Sequence, residues 1–175
     1  DLDLAGLALG AGLIGQRLPM DRLLAGADAA AQVLAGDGGP EAARAIMTTD
    51  SVPKLASFSA PAGFTVGGMA KGAGMLAPGL ATMLVVVTTD AVVGSHVLDD
   101  VLRQATRVTF DRIDSDGCMS TNDTVLLLAS GASGVSPEAG QLQEAVSAVC
   151  ASLARQLIAD AEGATKDIRI DVVGA

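Results

Sequence analysis

Short Val- and Leu-rich runs alternate with longer stretches of helical spacing, and this alternation is what most constrains the fold of the chain. Residues 83–87 and 125–129 are brief, apolar and bounded by polar residues, as buried strands are. Between them, residues 97–113 repeat Val97, Leu98, Val101, Leu102, Ala105, Val108 and Phe110 at helical intervals. Ser136-Pro137-Glu138 is a helix-start signal, and Leu142, Val146, Val149, Cys150, Leu153 and Leu157 follow on one helical face. Residues 167–173 alternate apolar with polar, as a strand should. Strands alternating with helices predict an α/β fold.

The first half has weaker signals. Residues 2–9 are apolar with small residues between them and run into a Gly-rich turn at residues 10–15, as at the end of a buried strand. A helix is expected from Leu18-Pro19-Met20-Asp21 to about Ala35, ended by Gly36-Asp37-Gly38-Gly39-Pro40, and residues 41–47 resume as a short helix. From Phe64 to Thr82 the chain is dense in Gly, Ala and Met, so its backbone can approach a ligand closely.

Half of the chain is apolar, enough for a sizeable core, but Trp and Tyr are absent and Phe occurs three times. No aromatic platform exists for stacking bases, and a formal charge of −9 repels phosphate backbones and anionic lipid, so neither nucleic acid nor membrane is an expected partner. No apolar run approaches the roughly 18 residues of a membrane span. Cys118 and Cys150 form no CxxC and His96 is the one histidine, which suggests no metal site and no disulfide framework, and fits a reducing cytoplasmic compartment. The opening Asp1-Leu2-Asp3-Leu4 lacks both Met and a basic stretch ahead of an apolar one, so it is read as the interior of a longer protein.

Four motifs have prosaic readings. Gly10-Ala11-Gly12-Leu13-Ile14-Gly15 matches the dinucleotide fingerprint letter for letter, but Pro19 would break the long helix that must follow it. Asp114-Ser115-Asp116-Gly117 begins like a calcium loop, but Met119 and Val125 stand where its Gly and Glu belong, leaving a solvated turn. Lys71-Gly72-Ala73-Gly74 has the wrong order for a P-loop. His96, beside a helix start, reads as a surface residue rather than the base of a Ser-His-Asp triad. Glu162, just past the end of the long helix and close to Asp160, stands where an acid opposes the helix dipole by roughly 0.3–1 kcal/mol, which hints at another job, the alternative being a solvated acid beyond a frayed end.

The sequence from Lys71-Gly72-Ala73-Gly74-Met75 through Leu76-Ala77-Pro78-Gly79-Leu80-Ala81-Thr82-Met83-Leu84, with Thr88-Thr89-Asp90-Ala91 beyond, resembles the bifunctional ornithine acetyltransferase and N-acetylglutamate synthase family. The resemblance extends to Gly12-Leu13-Ile14-Gly15, Arg17-Leu18-Pro19-Met20-Asp21, Ile46-Met47-Thr48-Thr49-Asp50, Val52-Pro53-Lys54, Ser120-Thr121-Asn122-Asp123-Thr124 and Ala161-Glu162-Gly163-Ala164-Thr165-Lys166, so it covers nearly the whole chain.

What the resemblance implies is a precursor that cuts itself between Ala81 and Thr82. Residues 1–81 would then be the C-terminal part of an α chain and residues 82–175 the N-terminal part of a β chain, folded together as an αββα sandwich and assembled as a heterotetramer. A hydroxyl is a weak nucleophile and needs a base within reach. The α-amine released on Thr82 would supply one, with an ordinary pKa of about 7.7–8. The resemblance further implies acetyl transfer from N-acetylornithine to glutamate through acetyl-Thr82, in arginine biosynthesis, without a cofactor, acetyl-coenzyme A remaining open as a further donor. Thr48, Lys71, Thr82 and Glu162 match the substrate contacts, Lys71 suiting a carboxylate and Glu162 an ammonium group.

The family's oxyanion pair aligns with Ala11 and Gly12. Gly12 keeps its backbone N–H, whereas Ala11 lacks the family's hydroxyl, and loss of one such donor lowers turnover roughly 100- to 1000-fold. Two alternatives follow: a catalytically impaired piece with a structural or interaction role, and a related self-processing aminopeptidase.

Overall fold

The computed structural model describes residues 15–74, 83–118 and 122–174. Along the chain these form α1 (Met20–Gln32), α2 (Gly39–Ala45), β1 (Lys54–Ser59), β2 (Thr65–Lys71), β3 (Leu84–Thr89), α3 (Ser95–Val108), β4 (Thr124–Ala129) and α4 (Ala139–Ala159). The strands make one sheet in the order β1-β2-β3-β4. The first three are antiparallel, and β4 lies parallel to β3 across the α3 crossover.

The β1–β2 hairpin closes on Ala60-Pro61-Ala62-Gly63. Pro61 presets φ at the second turn position, Gly63 takes φ +90° at the fourth, and the Gly63 N–H donates to the Ala60 carbonyl at 3.0 Å. In α4 the expected start signal becomes a capping box. Glu138 caps the helix while the Gln141 side chain accepts the Glu138 N–H at 3.2 Å. The helix expected over residues 97–113 stops at Val108. There Thr109 turns out of helical geometry, bonding its hydroxyl back to the Ala105 carbonyl at 2.7 Å, and a short 3-10 turn, Phe110–Arg112, follows.

One face of the sheet is the core. Val66 and Ala70 of β2 and Val85 and Val87 of β3 meet Leu142, Val146, Val149, Cys150, Leu153 and Leu157 of α4, with α3 adding Val101 and Ala105. Burial pushes the Cys150 thiol up to about 12, so it behaves as a small apolar side chain. The opposite face keeps Leu55, Ser57, Thr65 and Thr88 exposed. The residues named are on the three antiparallel strands, and antiparallel pairing tolerates solvent on one side.

Within the Gly-dense stretch after Phe64, residues 65–71 form strand β2, and at Gly68 the backbone packs against a helix. A Cβ built there would lie 3.1 Å from both Leu153 Cδ1 and Val149 Cγ1 of α4. Residues 167–173, expected to be a strand, are not one. Alternation alone provides no pairing partner, and Ile168, Ile170 and Val172 stand 80%, 82% and 77% exposed. The Gly-rich turn at residues 10–14 lies outside the described residues.

Gly68→Ala is expected to lower unfolding stability by about 1–3 kcal/mol, because neither the packed helix nor the Val86 carbonyl, 3.3 Å from the added carbon, can yield cheaply. Gly67→Ala, with nothing nearer than 3.9 Å, should cost distinctly less in the same urea titration.

Candidate functional site

At the start of β1, directly after Pro53, stands a fully buried cation. The Lys54 ammonium lies 2.7 Å from Asp50 Oδ1 and 2.5 Å from Asp160 Oδ2. Asp50 is buried too, and Asp160 is nearly so. A buried charge is tolerable only when paired and hydrogen-bonded, and here both conditions hold. Asp160 caps the C-terminal end of α4, where a carboxylate opposes the helix dipole. Lys54 offsets that opposition, which explains the acid.

Each carboxylate also accepts backbone amides. Asp50 takes the Gly72 N–H at 2.7 Å and the Thr48 N–H at 3.2 Å, and Asp160 takes the Ser51 N–H at 2.9 Å. The Glu162 N–H in turn donates to the Ala73 carbonyl at 2.5 Å. Gly72 fits its place because its φ of +150° is one that side-chain-bearing residues rarely adopt. Three segments distant in sequence thereby converge: residues 46–54, the end of β2, and the turn after α4.

The convergence gathers three residues singled out in the sequence. Thr48 is exposed, Lys71 is buried as the last residue of β2, and Glu162 is exposed on the turn. The Glu162 carboxylate approaches Gly74, where a built Cβ would lie 3.9 Å from Oε2. A cleft of about 360 Å³ runs along this edge, lined by Thr49, Ser51, Asp160, Glu162, Gly163 and Ala164. Lys71 pairs with Leu84 across the sheet, so only Met83 separates that pair from residue 82 along the chain. Met83 itself is anchored, its N–H donating to Asp123 Oδ1 at 2.9 Å and its carbonyl accepting the Thr124 N–H at 2.9 Å. Ala11, Gly12, Ala81 and Thr82 lie outside the described residues.

Asp50, Lys54, Asp160 and Asp123 were not singled out as site residues, although Asp50, Lys54 and Asp123 fall inside the quoted motifs. The one local cue was the four-residue spacing of Asp50 and Lys54. His96 is an exposed residue 3.1 Å from Asp100, a pair worth little in water. Asp114 and Asp116 turn on themselves, accepting the Gly117 and Cys118 amides at 2.8 and 3.0 Å. Among the described residues no three His, Cys, Asp or Glu side chains are grouped to hold a metal, and no helix is long and apolar enough to cross a membrane.

Burial raises the affinity of Asp50 for its proton, but the Gly72 amide, Lys54 and the Thr48 amide outweigh it and hold this carboxyl below its ordinary value of 3.8. Asp160 is lowered as well, burial being outweighed by Lys54 and the Ser51 amide. A lowered folded-state pKa means that the unfolded chain takes up the proton first. The stabilisation is therefore complete above the ordinary value of 3.8 and is lost as pH falls through the lower folded value. The urea midpoint should fall on acidification below about pH 4. In Asp50→Asn it should be lower at neutral pH but less sensitive to acid.

Residues 5–175 match the model of the ArgJ family. The chain is 66% identical over 164 residues to the arginine biosynthesis bifunctional protein ArgJ of Streptomyces coelicolor, covering 94% of this chain and 43% of that protein. It is 62% identical to the protein of the same name from Thermobifida fusca, again over 94% of this chain and 43% of the relative. With the Mycobacterium leprae protein the identity is 61% over 166 residues, 94% of this chain and 41% of the relative. The chain thus spans about two-fifths of the length of these relatives.

Proposed function

This chain belongs to the ArgJ family, and from that premise we propose that it carries the nucleophile and most of the amino-acid-binding groups of an acetyltransferase of arginine biosynthesis. The observation that carries this reading is the meeting of the segment that ends β2 with Lys71 and the turn that carries Glu162, tied by the Glu162 N–H on the Ala73 carbonyl; the two residues are opposite in charge, and Lys71 pairs with Leu84 close to Thr82 in the chain. N-acetylornithine, whose α-amine is blocked, has one carboxylate and one side-chain ammonium to match them. Relatives named for arginine biosynthesis support that substrate class.

In this reading the precursor cuts itself between Ala81 and Thr82, and the new α-amine takes the proton from the Thr82 hydroxyl as Oγ attacks the acetyl carbon of N-acetylornithine. The acetyl C–N bond breaks, the proton passes to the departing amine, and ornithine leaves acetyl-Thr82 behind. The amine of glutamate attacks that ester, N-acetylglutamate forms, and the Thr82 hydroxyl regains its proton. Acetyl-coenzyme A would enter as a second donor through the same ester.

The oxyanion that forms in each half-reaction would be met by the Gly12 amide beside Ala11. Thr48 would contact substrate near Lys71. The exposed sheet face would receive the second sheet of an αββα sandwich, in a cytoplasmic heterotetramer of two α and two β chains.

Ala11 favours a second, coarser reading, in which the chain keeps the fold and binds its partner chains but transfers acetyl groups slowly, since a missing oxyanion donor costs roughly 100- to 1000-fold. A hydrolytic aminopeptidase is disfavoured by the comparisons.

Intact mass with N-terminal sequencing is the test. Two chains, one beginning at Thr82, are expected, with a single uncut chain and no acetyl transfer in Thr82→Ala. An uncut wild-type chain would exclude a working nucleophile.

A further inference from the structure

We infer that Asp50, Lys54 and Asp160 are positioning residues that set the spacing between the groups at the two ends of the substrate; this rests on the preceding reading of the site. None of the three is assigned a contact with substrate, and each acts through the backbone of a segment that carries a contacting group.

The arrangement is specific to that task. Asp50 grips the amide of Gly72, next to Lys71, and the amide of Thr48. Asp160, two residues before Glu162, grips Ser51 in the same loop as Thr48. The Glu162 N–H then closes the circuit on Ala73, two residues after Lys71. Lys54 sits between the two carboxylates and is the common partner of both halves.

Stability alone does not account for such a cluster. Well-packed apolar residues in place of a buried ionic group are often neutral or stabilising. An apolar core would hold the segments together without fixing the direction of the three backbone amides of Thr48, Ser51 and Gly72. Charge-assisted hydrogen bonds are short and directional, and directionality is what a site needs when its cation and its carboxylate must match a substrate of fixed length.

Asp160 is the best member to test, because it is partly accessible and its removal leaves Lys54 paired with Asp50. Steady-state transfer from N-acetylornithine to glutamate should be compared in wild type, Asp160→Ala and Asp160→Asn, with active sites counted as acetyl-Thr82. Asp160→Ala should raise KM for N-acetylornithine on the order of tenfold with kcat per active site little changed, the pattern of lost uniform binding. Self-cleavage should be unaffected. Asp160→Asn keeps an oxygen for the Ser51 amide and should recover part of the loss. A merely structural role would reduce the number of active sites and leave that KM alone, which would overturn the proposal. Where Asp160→Ala does not fold, the Asn variant decides, and a wild-type KM in it is the overturning result. If wild type itself transfers no acetyl group, the reading of the site fails first and this inference falls with it; an unchanged KM beside an active wild type sinks this inference alone.

Discussion

Lys54 is a fully buried ammonium in a domain whose core is mostly apolar, and the arrangement around it follows from that constraint. A charge in such a place requires counter-charges and has two, at 2.7 and 2.5 Å. Those carboxylates in turn need donors for their remaining lone pairs and take them from Thr48, Ser51 and Gly72. Removing one member of such a buried group leaves the others uncompensated, typically at about 3–5 kcal/mol. The edge of the sheet where loop, strand end and helix end meet is held by electrostatics, whereas the centre is held by packing.

Packing sets the other half of the geometry. β2 can run close beneath α4 because Gly68 has no side chain, and the helix meets it there with Val149 and Leu153. That approach fixes the height of α4 above the sheet, and with it the position of Asp160 at the helix end. The long helix and the sheet edge are thus one mechanical unit, and Lys71 and Glu162 are attached to its two sides. Leu55, Ser57, Thr65 and Thr88 on the far face take no part in this unit.

The helices and the two Val- and Leu-rich strands were legible in the sequence because each repeats its own period: residues 142–157 at helical spacing, residues 83–87 and 125–129 as short apolar runs between polar ones. β1 and β2 were not, since Ser57, Ser59, Gly67 and Gly68 weaken any local strand signal and the hairpin is stabilised by α4, which comes much later in the chain. The reverse error occurred at residues 167–173, where alternation was present but, among the described residues, no strand lies alongside. For the site, motif matching supplied Thr48, Lys71 and Glu162. It could not supply the reason they meet, because Lys54 and Asp160 are 106 residues apart and their pairing exists only once the chain has folded. The α/β class is seen in the described residues, while Ala11, Gly12, Ala81 and Thr82 lie beyond them.

The dependence of the site on one buried cation can be measured most directly by amide hydrogen exchange at Ser51, Gly72 and Glu162, in the wild type and in Lys54→Met. The three amides are expected to be protected in the wild type. They should lose protection together in the variant under conditions where amides of β3 remain protected, as a local opening requires. Exchange that is fast in the wild type, or that is unchanged at all three positions in Lys54→Met, would contradict the account.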